Sequence, residues 1–170
     1  MRLNTNGSIY VAAMFAILAA YFSYQWWFNT GRVVKRQLGE VAAALSSPAN
    51  EQNAERLARL ARLRQYLADD VRVRVGEHEV APREPILAAV ATFRPPAGGI
   101  DVELVDTKVT MDSHTAAHAS ARVDLTTFDQ RNGQPMVDSE DATVRLEKRG
   151  DRWMITSAEA RALPTSHVRP

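Results

Sequence analysis

Apolar and polar positions follow three different rhythms along the chain. Residues 9–28, IYVAAMFAILAAYFSYQWWF, are twenty positions without a charge. A helix rises about 1.5 Å per residue, so this run spans roughly 30 Å, the hydrocarbon thickness of a bilayer. It predicts a transmembrane helix over 9–28 behind a short tail, 1–8. From residue 31 the rhythm becomes helical and amphipathic. Val34, Leu38, Val41 and Leu45 recur at 4-3-4 spacing until Ser47-Pro48 stops the helix. A second helix is predicted from Asn53 to Leu67, with Leu57, Leu60, Leu63 and Leu67 as its buried stripe and Arg56, Arg59, Arg62 and Arg64 outside. Val71 to Val75 alternates strictly with arginine and predicts a short strand; Gly76 to Pro82 predicts a turn. Pro85 opens a third helix carrying Ile86, Leu87, Val90 and Phe93, which Pro95, Pro96, Gly98 and Gly99 end.

The second half alternates with period two. Ile100, Val102 and Leu104 share a face, then Val105, Val109 and Met111 take over, which predicts a β-bulge near Leu104-Val105. Ala117, Ala119, Ala121, Val123 and Leu125 line the next strand. Asp112-Ser113, Arg131-Asn132-Gly133 and Arg149-Gly150-Asp151 supply turns, and Trp153 and Ile155 the last strand. Helices first and a meander after predict an α+β domain. Residues 163–170 read as a flexible tail.

The apolar run carries finer detail. Tyr10 lies at one end and Tyr24, Trp26 and Trp27 at the other, where aromatic rings anchor at the headgroup level. Bulky QWWF in place of a small-residue cleavage site favours an uncleaved anchor over a signal peptide. Ala12, Ala16 and Ala20 recur every four residues, a face that would let another helix approach closely in lipid. Orientation is weakly specified: Arg32, Lys35 and Arg36 follow the run and Arg2 precedes it.

Composition sharpens this division. Eight of the twelve aromatic residues fall between Tyr10 and Phe28. Residues 31–170 carry 20 basic and 20 acidic groups, a neutral balance that argues against nucleic acid as a partner. Residues 31–64 nonetheless hold seven basic and three acidic groups, so Arg56, Arg59 and Arg62 are candidate contacts for anionic headgroups or an acidic partner, set against the plain reading of a solvated face. With no cysteine, disulfides, thiolate metal sites and a cysteine nucleophile are excluded. Nucleotide, serine-hydrolase and HExxH motifs are absent. His114 and His118 lie on a turn and an outward-facing strand row, and His78 with Glu77 and Glu79 sits in a turn without a second convergent histidine. No catalytic, cofactor-binding or metal-binding residue is assigned.

The run LARLRQYLADDVRVRVG ending at Gly76, PREPILAAV at 82–90 and GDRWMI at 150–155 resemble the nuclear-transport-factor-2-like superfamily, over about residues 31–162. The resemblance implies a cone, with helices against a bent sheet and often a pocket inside. Members resembling ketosteroid isomerase put a catalytic carboxylate where this chain has Arg74 or Val75, and an oxyanion-donating tyrosine that only Tyr66 would represent. Anchored members, such as the inner-membrane scaffold of type IV secretion systems, pair one N-terminal span with this fold on the periplasmic side.

The expected architecture is therefore α+β: an N-terminal transmembrane helix, then a cone-shaped domain over 29–162 of three helices packed on a curved antiparallel sheet. The expected function is that of a non-catalytic, single-pass accessory, assembly or scaffolding subunit of a membrane protein complex, acting by protein–protein contact. The expected setting is the bacterial inner membrane with the domain in the periplasm. The partners would be the membrane, other membrane-protein subunits and, through the sheet, a second copy. The alternative is a small-molecule binder or an isomerase- or cyclase-like enzyme using the cone pocket.

Overall fold

The computed structural model describes residues 16–18, 30–96, 98–128 and 133–162. The expected span at 9–28 lies outside them except for residues 16–18, which are helical, with Ile17 69% exposed. Tyr10, Ala12, Ala20, Tyr24, Trp26 and Trp27, and both tails, likewise lie outside the described residues. Among the described residues no helix is long and apolar enough to cross a membrane.

Helix α1 covers residues 30–45, α2 Asn53–Tyr66 and α3 Arg83–Thr92. The strands are β1 Leu67–Val75, β2 His78–Val80, β3 Ile100–Met111, β4 Ala116–Phe128, β5 Pro135–Arg149 and β6 Arg152–Ala162. They form one sheet in the order β2-β1-β6-β5-β4-β3. The predicted meander is its β3-β4-β5-β6 part. The expectation of an antiparallel sheet is corrected: β1 runs parallel to β6, so the sheet is mixed. The segment read as a turn after Val75 holds β2, hairpinned onto β1 through Gly76 at φ +58°. The bulge falls slightly later than predicted, between Val105 and Lys108, with Asp106 at φ 55°.

One face of the sheet is buried by the helices. Met111, Ala117, Ala119, Leu146, Trp153 and Ile155 meet Val34, Leu38 and Val41 of α1 and Leu63 of α2 in a single core. Leu63 and Leu146 are fully enclosed, and each such side chain contributes about 1.5–3 kcal/mol of burial. The gamma amide of Gln37 donates to the Trp153 carbonyl at 2.7 Å, fixing α1 against the β5–β6 end.

The end of α1 is tied to the far strand. Ser47 and Ile100 exchange both backbone hydrogen bonds at 2.8 Å, and the Ser46 hydroxyl accepts the Val102 N–H at 2.9 Å. The approach is close enough that a Cβ on Gly99, whose φ is +82°, would sit 2.8 Å from Ala49 N and Ser47 O. That glycine is required by sterics and by its backbone angle together.

The predicted stripes hold at Val34, Leu38 and Val41 and at Leu63 and Leu67, and depart at Leu45 and Leu57. Leu45 is 38% exposed, and Ala42 and Ala44 take its place inside. In α2, Leu57 is 68% exposed while Arg59 is only 6% exposed. The outward arginine row predicted on α2 is corrected accordingly: Arg59 belongs to the inner face. Its guanidinium lies 2.7 and 3.0 Å from the two oxygens of Glu51 and donates at 3.1 Å to the Ala44 carbonyl, an orphan acceptor at the end of α1.

Candidate functional site

Three surfaces carry chemistry. The first is the outer side of the helical layer. Arg56 is half-buried and shares Glu51 with Arg59 at 3.3 Å; Arg62 is exposed and has no ion partner among the described residues. Of the three candidate contact arginines, Arg62 alone therefore stands both exposed and unpaired, and the structure does not assemble them into one row. Beside Arg62 runs an apolar groove of about 420 Å³ between α2 and α3. Leu60 and Ala61 form one wall and Leu87, Ala88 and Ala91 the other, bridged by Arg64 and Glu84 at 2.8 Å. Leu57 extends this wall, one helical turn before Leu60 and Ala61.

The second surface is the inner face of the cone. The position where the family resemblance puts an isomerase carboxylate holds Val75, 52% exposed, while Arg74 points to the other face and pairs with Glu79 at 2.7 Å. Tyr66, the candidate oxyanion donor, is engaged with α1. Its hydroxyl bonds to Glu40 of α1, and that acceptor raises the phenol above its ordinary range. The Asp69-Asp70 pair lies inside β1 and is split between partners, Asp69 with Arg83 at 2.6 Å and Asp70 with Arg149 at 2.8 Å. Glu140 continues the inward series below Ala142 and Val144, opposite Val123.

The third surface is the outer face of the sheet, where charges interlock. Glu79 takes Arg72 and Arg74, Glu159 takes Arg161, and Asp106 takes Arg122. Arg149 and Arg161 hold Asp70 and Glu159 respectively below the usual carboxylate range through direct hydrogen bonds. Within this face lies a cavity of about 480 Å³ at Asp112, His118, Thr143, Arg145, Glu147 and Thr156. His118 Nδ1 is 2.8 Å from Asp112 Oδ1. Sequence reasoning placed His118 on an outward row but missed its partner, because Asp112 comes from the turn before the strand and only the β3–β4 hairpin brings the two together. His78, Glu77 and Glu79 are exposed, and the described residues contain no group of three or more metal-ligating side chains.

These elements can be set beside known proteins. No protein-family model and no curated protein matches the chain. Solved structures do. A protein from Novosphingobium aromaticivorans with a cystatin-like fold superposes with a TM-score of 0.61 at 16% identity, covering 88% of this chain and 90% of that one. The fold is nuclear-transport-factor-2-like. The association domain of calcium/calmodulin-dependent protein kinase II from C. elegans superposes on this cone with a TM-score of 0.54 at 11% identity, over 78% of this chain and 92% of that one. A scytalone dehydratase-like protein from N. aromaticivorans reaches 0.60 at 16% identity, over 81% and 88%. At these identities the cone is what is shared, and one cone serves association and catalysis alike.

Proposed function

We propose that the chain is a single-pass, membrane-anchored, non-catalytic subunit that works by protein–protein contact, as an accessory, assembly or scaffolding component of a larger membrane complex. Its cone would lie on the periplasmic side of a bacterial inner membrane. The observation that carries the reading is the apolar groove between α2 and α3 with Leu57 68% exposed beside it. An exposed leucine on the helix face that walls an apolar groove is the material of a contact surface. The uncharged run at 9–28 supports the anchor, and the kinase association domain supports contact as a use of this cone. A homodimer through the sheet would bury the interlocked charges of the outer face, so the contact is assigned to the helical layer.

The test is extraction of the full chain in mild detergent, wild type beside Leu57→Arg, with mass identification of what stays bound. Stoichiometric membrane subunits held by the wild type and lost from the variant, with matching thermal melts, are expected. A bare monomer or homodimer in both overturns the reading. A second reading, small-molecule binding, draws on the outer-face cavity at His118 rather than on the cone interior.

A further inference from the structure

We propose that the cavity on the outer face of the sheet binds a small hydroxycarboxylate, with Arg145 taking the carboxylate and His118 the hydroxyl. The inference is independent of the subunit reading. His118 alternates with buried Ala117 and Ala119, so it stands on the outer face, and Arg145 is its direct cross-strand partner. Side chains so paired lie about 5 Å apart at Cβ, close enough to hold two ends of one small molecule. The register shift between Arg145 and Leu146 puts Thr156 beside them, where its hydroxyl meets the Arg145 carbonyl at 3.4 Å. Bulges often re-aim side chains at a binding position in this way.

Two features separate these residues from the charge lattice around them. Arg72, Arg74, Arg122 and Arg161 each meet a carboxylate on this face. The Arg145 guanidinium has no hydrogen bond or ion pair among the described residues, although Glu147 lines the same cavity. A planar, unengaged guanidinium is a bidentate carboxylate receptor. The second feature is the histidine tautomer. With Nδ1–H given to Asp112 Oδ1, the neutral form of the ring offers Nε2 as an acceptor. It suits an O–H donor. Asp112 and Glu147 repel a second negative charge, which favours a monoanion, and a cavity of about 480 Å³ is of small-ligand size.

The experiment is an NMR titration of the full chain in detergent micelles, following the His118 ring, with 3-hydroxybutyrate, butyrate and inorganic phosphate. Saturable shifts with 3-hydroxybutyrate at a Kd of about 1 mM or tighter, and binding of butyrate about tenfold weaker, are expected. Arg145→Gln should abolish both, and His118→Phe should reduce 3-hydroxybutyrate to the butyrate level. Both side chains are exposed, so thermal melts should not move. Absence of saturation, equal binding of the two acids, tighter binding of phosphate, or binding that survives Arg145→Gln overturns the proposal.

Discussion

The α1–α2 junction and the outer face of the sheet are built from the same pair of groups, arginine and carboxylate, at the same distances. Arg59 meets Glu51 at 2.7 Å, and Arg74 meets Glu79 at 2.7 Å. Burial separates them. The junction side chains are 7% and 4% exposed, those on the sheet 54% and 36%. Taking two charges from water is costly, and the junction offsets that cost by satisfying both groups in several ways: Ser47 and Arg56 also donate to Glu51, and Arg59 donates to the Ala44 carbonyl. On the sheet, water solvates each partner whether or not they meet. Ion-pair geometry is therefore a poor guide to what a pair contributes, and its surroundings are a good one.

The largest effect should come from breaking the junction. Arg59→Ala leaves Glu51 buried without its main partner and the end of α1 without a donor to Ala44. A loss of about 3–5 kcal/mol is expected, measured by denaturant unfolding. Arg59→Met keeps much of the volume, and combined with Glu51→Leu it should recover a good part of the loss, since an apolar pair can replace a buried ionic one. A double variant as unstable as Arg59→Ala would mean that the Ala44 contact, rather than the charge pair, holds the junction.

Acid should separate the same two regions more gently. The hydrogen bond from Arg59 is the largest influence on Glu51 and holds its carboxyl below the ordinary glutamate value, against the opposing effect of burial. A carboxyl depressed in the folded state contributes stability above its unfolded value, about 4.3, and loses it as pH falls through the lower folded value. The stability gap between wild type and Glu51→Gln should therefore be full at neutral pH and shrink progressively below about pH 4. A gap that stays constant down to pH 3 would show that the carboxylate charge contributes nothing there.

How far this contrast was readable beforehand depends on period and on distance along the chain. The order of the elements other than β2 and the β3-to-β6 meander followed from local periodicity, because Ala117, Ala119 and Ala121 or Trp153 and Ile155 declare a face without reference to anything remote. The first half of α2 did not follow, although Leu63 and Leu67 are buried as predicted. Leu57-Leu60-Leu63-Leu67 and Arg56-Arg59-Leu63-Tyr66 are both acceptable helical stripes, and only Glu51, eight residues earlier, makes an arginine a tolerable inner residue. The parallel β1–β6 pairing was equally hidden, because it joins residues such as Val73 and Ala158 that share no local signal. His118 was visible as an outward histidine, yet its chemistry depends on Asp112 across a turn and Arg145 on the next strand.

The smallest effect should come from the exposed pairs. Arg149 lies 2.8 Å from Asp70, with side chains 38% and 68% exposed, and it joins strand β5 to β1 across β6. The hydrogen bond lowers Asp70 and raises Arg149 from their ordinary values, which signals contact, but both groups remain hydrated when the contact is cut. Arg149→Ala should leave the melting midpoint within the scatter of repeat measurements, and the difference should not grow at low salt beyond the modest change that screening permits. A drop comparable with that of Arg59→Ala would break the comparison. It would mean that the sheet's outer lattice works as a coupled network, with the cost of losing one pair passed to Glu147, Arg149's second partner at 3.5 Å, and on to the cavity it lines.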